Sequence, residues 1–115
     1  MKDLELIIAI DFSTVPGARY PEEGDFSGQE FRNDVLIPKI KEAMSNHVHL
    51  IIDLDGTAGY GTSFLEEAFG GLIRIDDYSL SVLEDLFIFK SDEDIEYINE
   101  IKGYMKDADD KKNSK

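Results

Sequence analysis

The stretch "LIIDLDGTAGYGTSF", Leu50–Phe64, decides the fold. Val48 to Gly56 is apolar on both faces, the pattern of a central strand. The run ends in two acids, Asp53 and Asp55, and a flexible turn, "TAGYG". Ser63-Phe64-Leu65-Glu66 has the Ser-x-x-Glu form of a capping box. Leu65, Ala68, Phe69, Leu72 and Ile73 then recur at helical spacing. Strand, turn and amphipathic helix in succession make the building unit of an α/β fold.

Upstream, "LELIIAIDFS" (residues 4–13) predicts a first buried strand. The Pro- and Gly-rich segment after it predicts a loop or short hairpin, in which Gly17–Tyr20 can pair as an extra strand. Ser27-Gly28-Gln29-Glu30 is another capping box, opening a helix whose stripe is Phe31, Val35, Leu36, Ile40, Ala43 and Met44. Pro38 lies inside that stripe and predicts a kink or break. Downstream, Gly70-Gly71 interrupt the stripe of the following helix, and their expected role is close approach of that helix to the sheet. A third strand is expected at Leu86 to Lys90. Ser91 with Asp94 caps a last helix lined by Ile95, Ile98, Ile101 and Met105. The expected order is β, an optional β, α, β, α, β, α in one domain, residues 1–106, with a disordered tail at 107–115.

The 115 residues are 42% apolar and 32% charged, a globular composition long enough to bury a core. There is no cysteine, so neither a disulfide framework nor a thiolate metal site is available. The net charge of −13 opposes binding to a phosphate backbone or an anionic membrane and steers toward basic protein surfaces. No apolar run approaches the ~20 residues of a membrane span, and "MKDLELIIAIDF" reads as a strand rather than a signal peptide. The expected location is the cytoplasm, with no nucleic acid, membrane or cofactor among the expected partners. Oligomerisation through a sheet edge is left open.

"DLDGT", Asp53–Thr57, resembles the first motif of haloacid dehalogenase-type phosphatases. That resemblance implies a Mg²⁺-dependent phosphohydrolase with Asp53 as nucleophile and Asp55 as acid/base. Lys90, Asp76 and Asp77 are the residues available to complete such a site. The alternative is structural: both acids lie on one face of the strand end and accept backbone N–H bonds from the Gly56–Gly61 turn. Arg19 is expected to pair with Asp53, Asp55 or Glu66. His47 and His49 are expected to be polar residues on one strand face, not metal ligands.

"DLDGTAGYGTSFLEEAFGGLIR" and the upstream "PGARYPEEGDFSGQEFRNDVLIP" together resemble the STAS-like family of small bacterial proteins of unknown function. More distantly they are similar to the STAS domains of anti-sigma factor antagonists and sulfate transporters. The resemblance implies a STAS-like sandwich, with a small mixed sheet of about four strands and helices packed on it. It implies a non-enzymatic role in regulatory protein–protein interaction, with no catalytic residues and no metal. It also implies a histidine-kinase-like ATPase as partner, and Ser63 or its neighbour Thr62 as the phosphorylated residue. Gly61 stands where STAS proteins carry Asp, and Phe64 where they carry Gly. The candidate partner-binding residues are Asp55, Gly59, Tyr60, Gly61, Ser63 and Glu66. Two readings stay open at two of them. Ser63 is either a plain N-cap or a switch, and Tyr60 is either an exposed interface aromatic or packed over its own loop.

Overall fold

Three short parallel strands carry the molecule, in the computed structural model that describes residues 2–114. Met1 and Lys115, which fall within the 1–106 and 107–115 assignments, lie outside the described residues. Strand β1 (Leu4–Ile7) pairs with β2 (Leu50–Asp53), and β2 pairs with β3 (Phe87–Lys90). Leu4, Leu50 and Phe87 stand in one row, and Leu6, Ile52 and Phe89 in another on the same face. That face is buried under helices, with Leu6, Leu50 and Ile52 fully enclosed.

The fourth strand does not form among the described residues, and the sheet is parallel rather than mixed. Gly17–Tyr20 has other work for its backbone. Gly17 N–H donates to Phe26, while the carbonyls of Ala18 and Arg19 accept from the N–H groups of Gly28 and Gln29. The loop therefore caps the first long helix, whose leading N–H groups have no partner within the helix.

That helix, α1, runs without a break over residues 28–45, in three parts: Gly28–Phe31, a π turn at Arg32–Leu36, and Ile37–Ser45. The Ser27 capping box forms as expected, with the hydroxyl accepting from Glu30 N–H and Glu30 accepting from Ser27 N–H. Pro38 neither breaks the helix nor ends it. The π turn before it absorbs the mismatch: Ile37 N–H reaches back five residues to Arg32. Phe31, Leu36, Ile40 and Ala43 are fully buried, whereas Met44 is exposed.

Helix α2 covers residues 62–74 as Thr62–Leu65, a π turn at Glu66–Gly70, and Gly71–Arg74. All five residues of its predicted stripe are fully buried. A short helix α3 (Leu80–Leu86), capped by Ser79 accepting from Val82 N–H, leads directly into β3 and was not legible as a helix. Helix α4 (Glu96–Asn113) packs on α2, with Ile101 and Met105 buried, and Ile95, expected in this stripe, is exposed. Asp94, not Ser91, accepts from the Glu96 N–H, and Ser91 donates to the Asp94 carbonyl. The helix continues through 107–113, where a disordered tail was expected. Ala108 is buried there, and Lys112 donates to the Ile73 carbonyl at 3.2 Å and to Asp77 at 2.6 Å.

Where α1 and α2 face each other, two glycines set the approach. A Cβ on Gly28 would lie 2.6 Å from the Phe64 carbonyl oxygen. A Cβ on Gly71 would lie 2.3 Å from Nη1 of Arg32. Gly71 thus makes room for a side chain of α1, not for the sheet as the sequence suggested.

Replacing Gly71 with Ala should lower stability by about 1–3 kcal/mol by overpacking, in spite of the alanine's better helix propensity. Gly103 in α4 has open space around its Cα, so Gly103→Ala should stabilise by up to about 1 kcal/mol. Urea denaturation of both variants checks the opposite signs.

Candidate functional site

Arg32 is 2% exposed and Glu67 is fully buried, yet each carries a full charge partner. Arg32 Nη1 donates to Glu67 Oε2 at 2.5 Å and to the Glu67 backbone carbonyl at 2.7 Å. Asp76 Oδ2 lies 3.0 Å from Arg32 Nε, at an angle too poor for a hydrogen bond. Around this pair, Arg19 bonds Glu66 and approaches Glu67 at 3.3 Å. Arg74 bonds Glu66 at 2.5 Å and Glu67 at 3.3 Å. All three arginines of the chain sit in this cluster. Burial alone would raise the Glu66 pKa, but Arg74 and Arg19 together hold it below the usual carboxylate range. Of the three partners considered for Arg19, the structure selects Glu66.

The cluster locks the start of α2 in place, so the preceding loop is held at both ends. At the strand end, Asp53 Oδ1 accepts from Asp55 N–H at 2.9 Å. Asp55 reaches across to the loop after β3, accepting from Asp92 N–H at 3.0 Å and Glu93 N–H at 2.9 Å. Glu93 returns the contact by accepting from Gly56 N–H at 2.8 Å. Both acids accept backbone N–H bonds, but not from the Gly56–Gly61 turn as the structural alternative expected: Asp53 bonds the N–H of Asp55, and Asp55 braces the β3–α4 loop. Those two backbone N–H bonds, with Lys90 nearby, hold the Asp55 pKa below its ordinary value.

Lys90 Nζ lies 3.5 Å from Asp53 and 3.4 Å from Asp55. Of the three residues available to complete a phosphatase site, it is the one the fold brings to these acids. Asp76 belongs to the Arg32 cluster, and Asp77 pairs with Lys112. Among the described residues no group of three or more histidines and acids is arranged to hold a metal ion. His47 lies in a left-handed turn before β2, so it does not share a strand face with His49, which faces Asp3.

Tyr60 packs down. It is 9% exposed, donates its hydroxyl to the Leu54 carbonyl at 2.9 Å, and meets Tyr97 edge-on at 5.0 Å between ring centres. Burial pushes its pKa well up. It pins the loop to α4 instead of offering a surface ring. Gly59 passes beside the Tyr97 hydroxyl with φ +132°, and Ala58 N–H donates to Thr14.

The start of α2 differs from the expected capping box. Gly61 is the N-cap, the helix opens at Thr62, and no side chain caps it. Glu66, which the box would have turned back toward Ser63, is held by Arg19 and Arg74. Gly61, Thr62 and Ser63 are exposed, directly above buried Phe64 and Leu65. The sequence reading missed Arg32 and Glu67, and it considered Asp76 only for a phosphatase site, not as a partner of Arg32. The available signal was a Gly-Gly pair one helical turn after two glutamates, with an arginine beside the buried Phe31.

A parallel α/β layer with a braced loop and an exposed helix start at the strand ends defines the class as a small α/β domain of STAS-like form. The model of the STAS-like domain of unknown function (DUF4325) matches residues 27–96, and the chain belongs to that family. Searches of curated proteins and of solved structures returned no significant match. No helix among the described residues is long and apolar enough to cross a membrane.

Two tests follow from this geometry. Arg32→Met or Glu67→Met alone should cost about 3–5 kcal/mol by stranding a buried charge, while the two together should cost far less than the sum. Chemical denaturation of the three variants measures the coupling. For Asp55 the lowered folded pKa means its bracing is present above the ordinary value and lost as pH falls through the lower one. Asp55→Asn should therefore be less stable than the parent at neutral pH, with the gap closing below about pH 4 in melts across pH.

Proposed function

We propose that this chain is a non-enzymatic regulatory docking domain, reading a partner protein through the Gly56–Gly61 loop and the first turn of α2. The observation that carries the reading is the exposure of Thr62 and Ser63 on a turn whose underside is fixed by Phe64, Leu65 and the buried Glu67. Such a turn can change its surface charge without disturbing the core. A phosphoryl group on Ser63 or Thr62 would add roughly −1.5 to −2 charge beside the unpaired N–H groups of a helix start, which tolerate anions. The fold would persist, and the added bulk and negative charge would alter the turn's shape and its fit to a partner.

A histidine-kinase-like ATPase is the partner class that the resemblance to STAS domains implies, and the net charge of −13 favours a basic contact surface on it. Exposed Gly61, Thr62 and Ser63 form the contact turn; Asp55, Gly59, Tyr60 and Glu66 hold it in shape.

The competing reading, a Mg²⁺-dependent phosphohydrolase, has one observation in its favour, the approach of Lys90 to both Asp53 and Asp55. Against it, both carboxylates already accept backbone N–H bonds.

Affinity capture with the full chain should recover an ATPase of the kinase-like class. Ser63→Asp should lower its binding roughly tenfold and Ser63→Ala should leave it, with melting temperature unchanged in both. No ATPase captured and no effect of either variant would overturn the proposal. So would Mg²⁺-dependent phosphate release from phosphomonoesters that Asp53→Asn abolishes.

A further inference from the structure

The sheet has a second face, and the helices leave it bare. Its rows are Glu5, Ile51 and Ile88, then Ile7, Asp53 and Lys90. Ile88 is 42% exposed, Glu5 and Lys90 are exposed, and Ile7 and Ile51 are partly so. The topology explains this. With parallel strands in the order β1-β2-β3, two crossovers of the same hand place both connections on one face. Helix α4 adds to that same side by packing on α2. Parallel sheets, however, are stable layers when both faces are covered. Here three isoleucines hold the uncovered centre, Ile51 beside Ile88 in register and Ile7 one row further along β1.

We infer that this face binds one amphipathic, basic helix of a partner protein. The dimension selects a helix: two strand spacings of about 4.8 Å make a face about 10 Å across, the width of one α-helix. The charge selects its sign. Acids ring the strand ends, with Asp53, Asp55, Asp92 and Glu93 there and Glu5 on the face; Lys90 is already shared among Asp53, Asp55 and Asp92, and Lys102 of α4 stands at the groove beside Ile88. A second copy would bring another chain of charge −13 against the same ring, which opposes self-association. A helix with one apolar stripe and lysines or arginines flanking it meets both the isoleucines and the acids. This surface is separate from the Thr62–Ser63 turn, and its occupant need not be the protein that reads that turn.

The test uses the full ¹⁵N-labelled chain and two synthetic amphipathic peptides of about 18 residues, five helical turns. One carries leucines on one face and lysines elsewhere; the other has glutamates in place of the lysines. At physiological salt, the lysine peptide should shift amides of Glu5, Ile7, Ile51 and Ile88, and the glutamate peptide should not bind. Ile51→Ser with Ile88→Ser should weaken the lysine peptide roughly tenfold or more. Ile88→Lys alone, at the exposed edge where folding is least at risk, should weaken it in the same direction. Ser63→Asp should leave this binding unchanged. Shifts scattered away from the sheet face, equal binding of the two peptides, or no effect of Ile88→Lys would overturn the inference. A concentration-dependent dimer in ultracentrifugation that Ile88→Lys dissolves would overturn it as well, by assigning the face to a second copy.

Discussion

The buried contact between Arg32 and Glu67 governs the arrangement of the helices. Enclosing two charges costs several kcal/mol per ion before their attraction is counted. The fold offsets that cost with geometry: the guanidinium binds both the carboxylate and the backbone carbonyl of the same residue. Arg19 and Arg74 supply further positive charge on the solvent side of Glu67. Each partner of the pair lies in a π turn, Arg32–Leu36 in α1 and Glu66–Gly70 in α2. A π turn inserts one residue and rotates the following helix face, so it can aim a side chain where regular α geometry would not. Gly71 completes the fit by leaving the guanidinium its space.

From that lock the candidate site follows. The ion-pair cluster holds α2 from below, and Tyr60 fastens the loop before it to the carbonyl of Leu54 and the ring of Tyr97. The acids of "DLDGT" tie the same loop to the one after β3 through reciprocal bonds, Asp55 to Asp92 and Glu93, and Glu93 to Gly56. A motif that resembles a catalytic one in sequence thus ties neighbouring loops together. The chemistry is the same in both settings, a carboxylate with strong acceptor oxygens, and its surroundings determine what those oxygens accept.

Period and capping made the three strands, the three long helices and the Ser27 box legible, because each is written in local pattern, although the first strand, expected over residues 4–13, ends at Ile7 and gives way to a helical turn at Ile8–Asp11. The failures also have physical causes. Residues 107–113 carry few apolar side chains, so no stripe announced the helix; Ala108 and Lys112 hold it by tertiary contact. Ser63 matched a capping box in spacing, but Arg19 and Arg74 compete for Glu66 and outweigh a cap that contributes about 1 kcal/mol. Gly17–Tyr20 could have paired as a strand, yet its carbonyls are better used on the leading N–H groups of α1, which have no partner within the helix. Arg32 and Glu67 stand 35 positions apart, and no periodicity encodes such a contact.

The charge distribution sharpens the functional argument. A net −13 spread evenly would describe a solubilising surface and nothing more. The spread is not even, because every arginine is spent within one cluster against Glu66, Glu67 and Asp76. Elsewhere the positive charge comes from lysines, which are strongly hydrated point charges with less geometric selectivity than a guanidinium. The exterior is therefore acidic ground with little fixed cationic recognition of its own. A partner that docks on it must bring the basic residues, and it must find an orienting feature other than charge. The rigid Thr62–Ser63 turn and the isoleucines of the bare sheet face are the two features of that kind, one polar and one apolar, and both rest on the backbone that the Arg32–Glu67 contact and the β2 pairing hold in place.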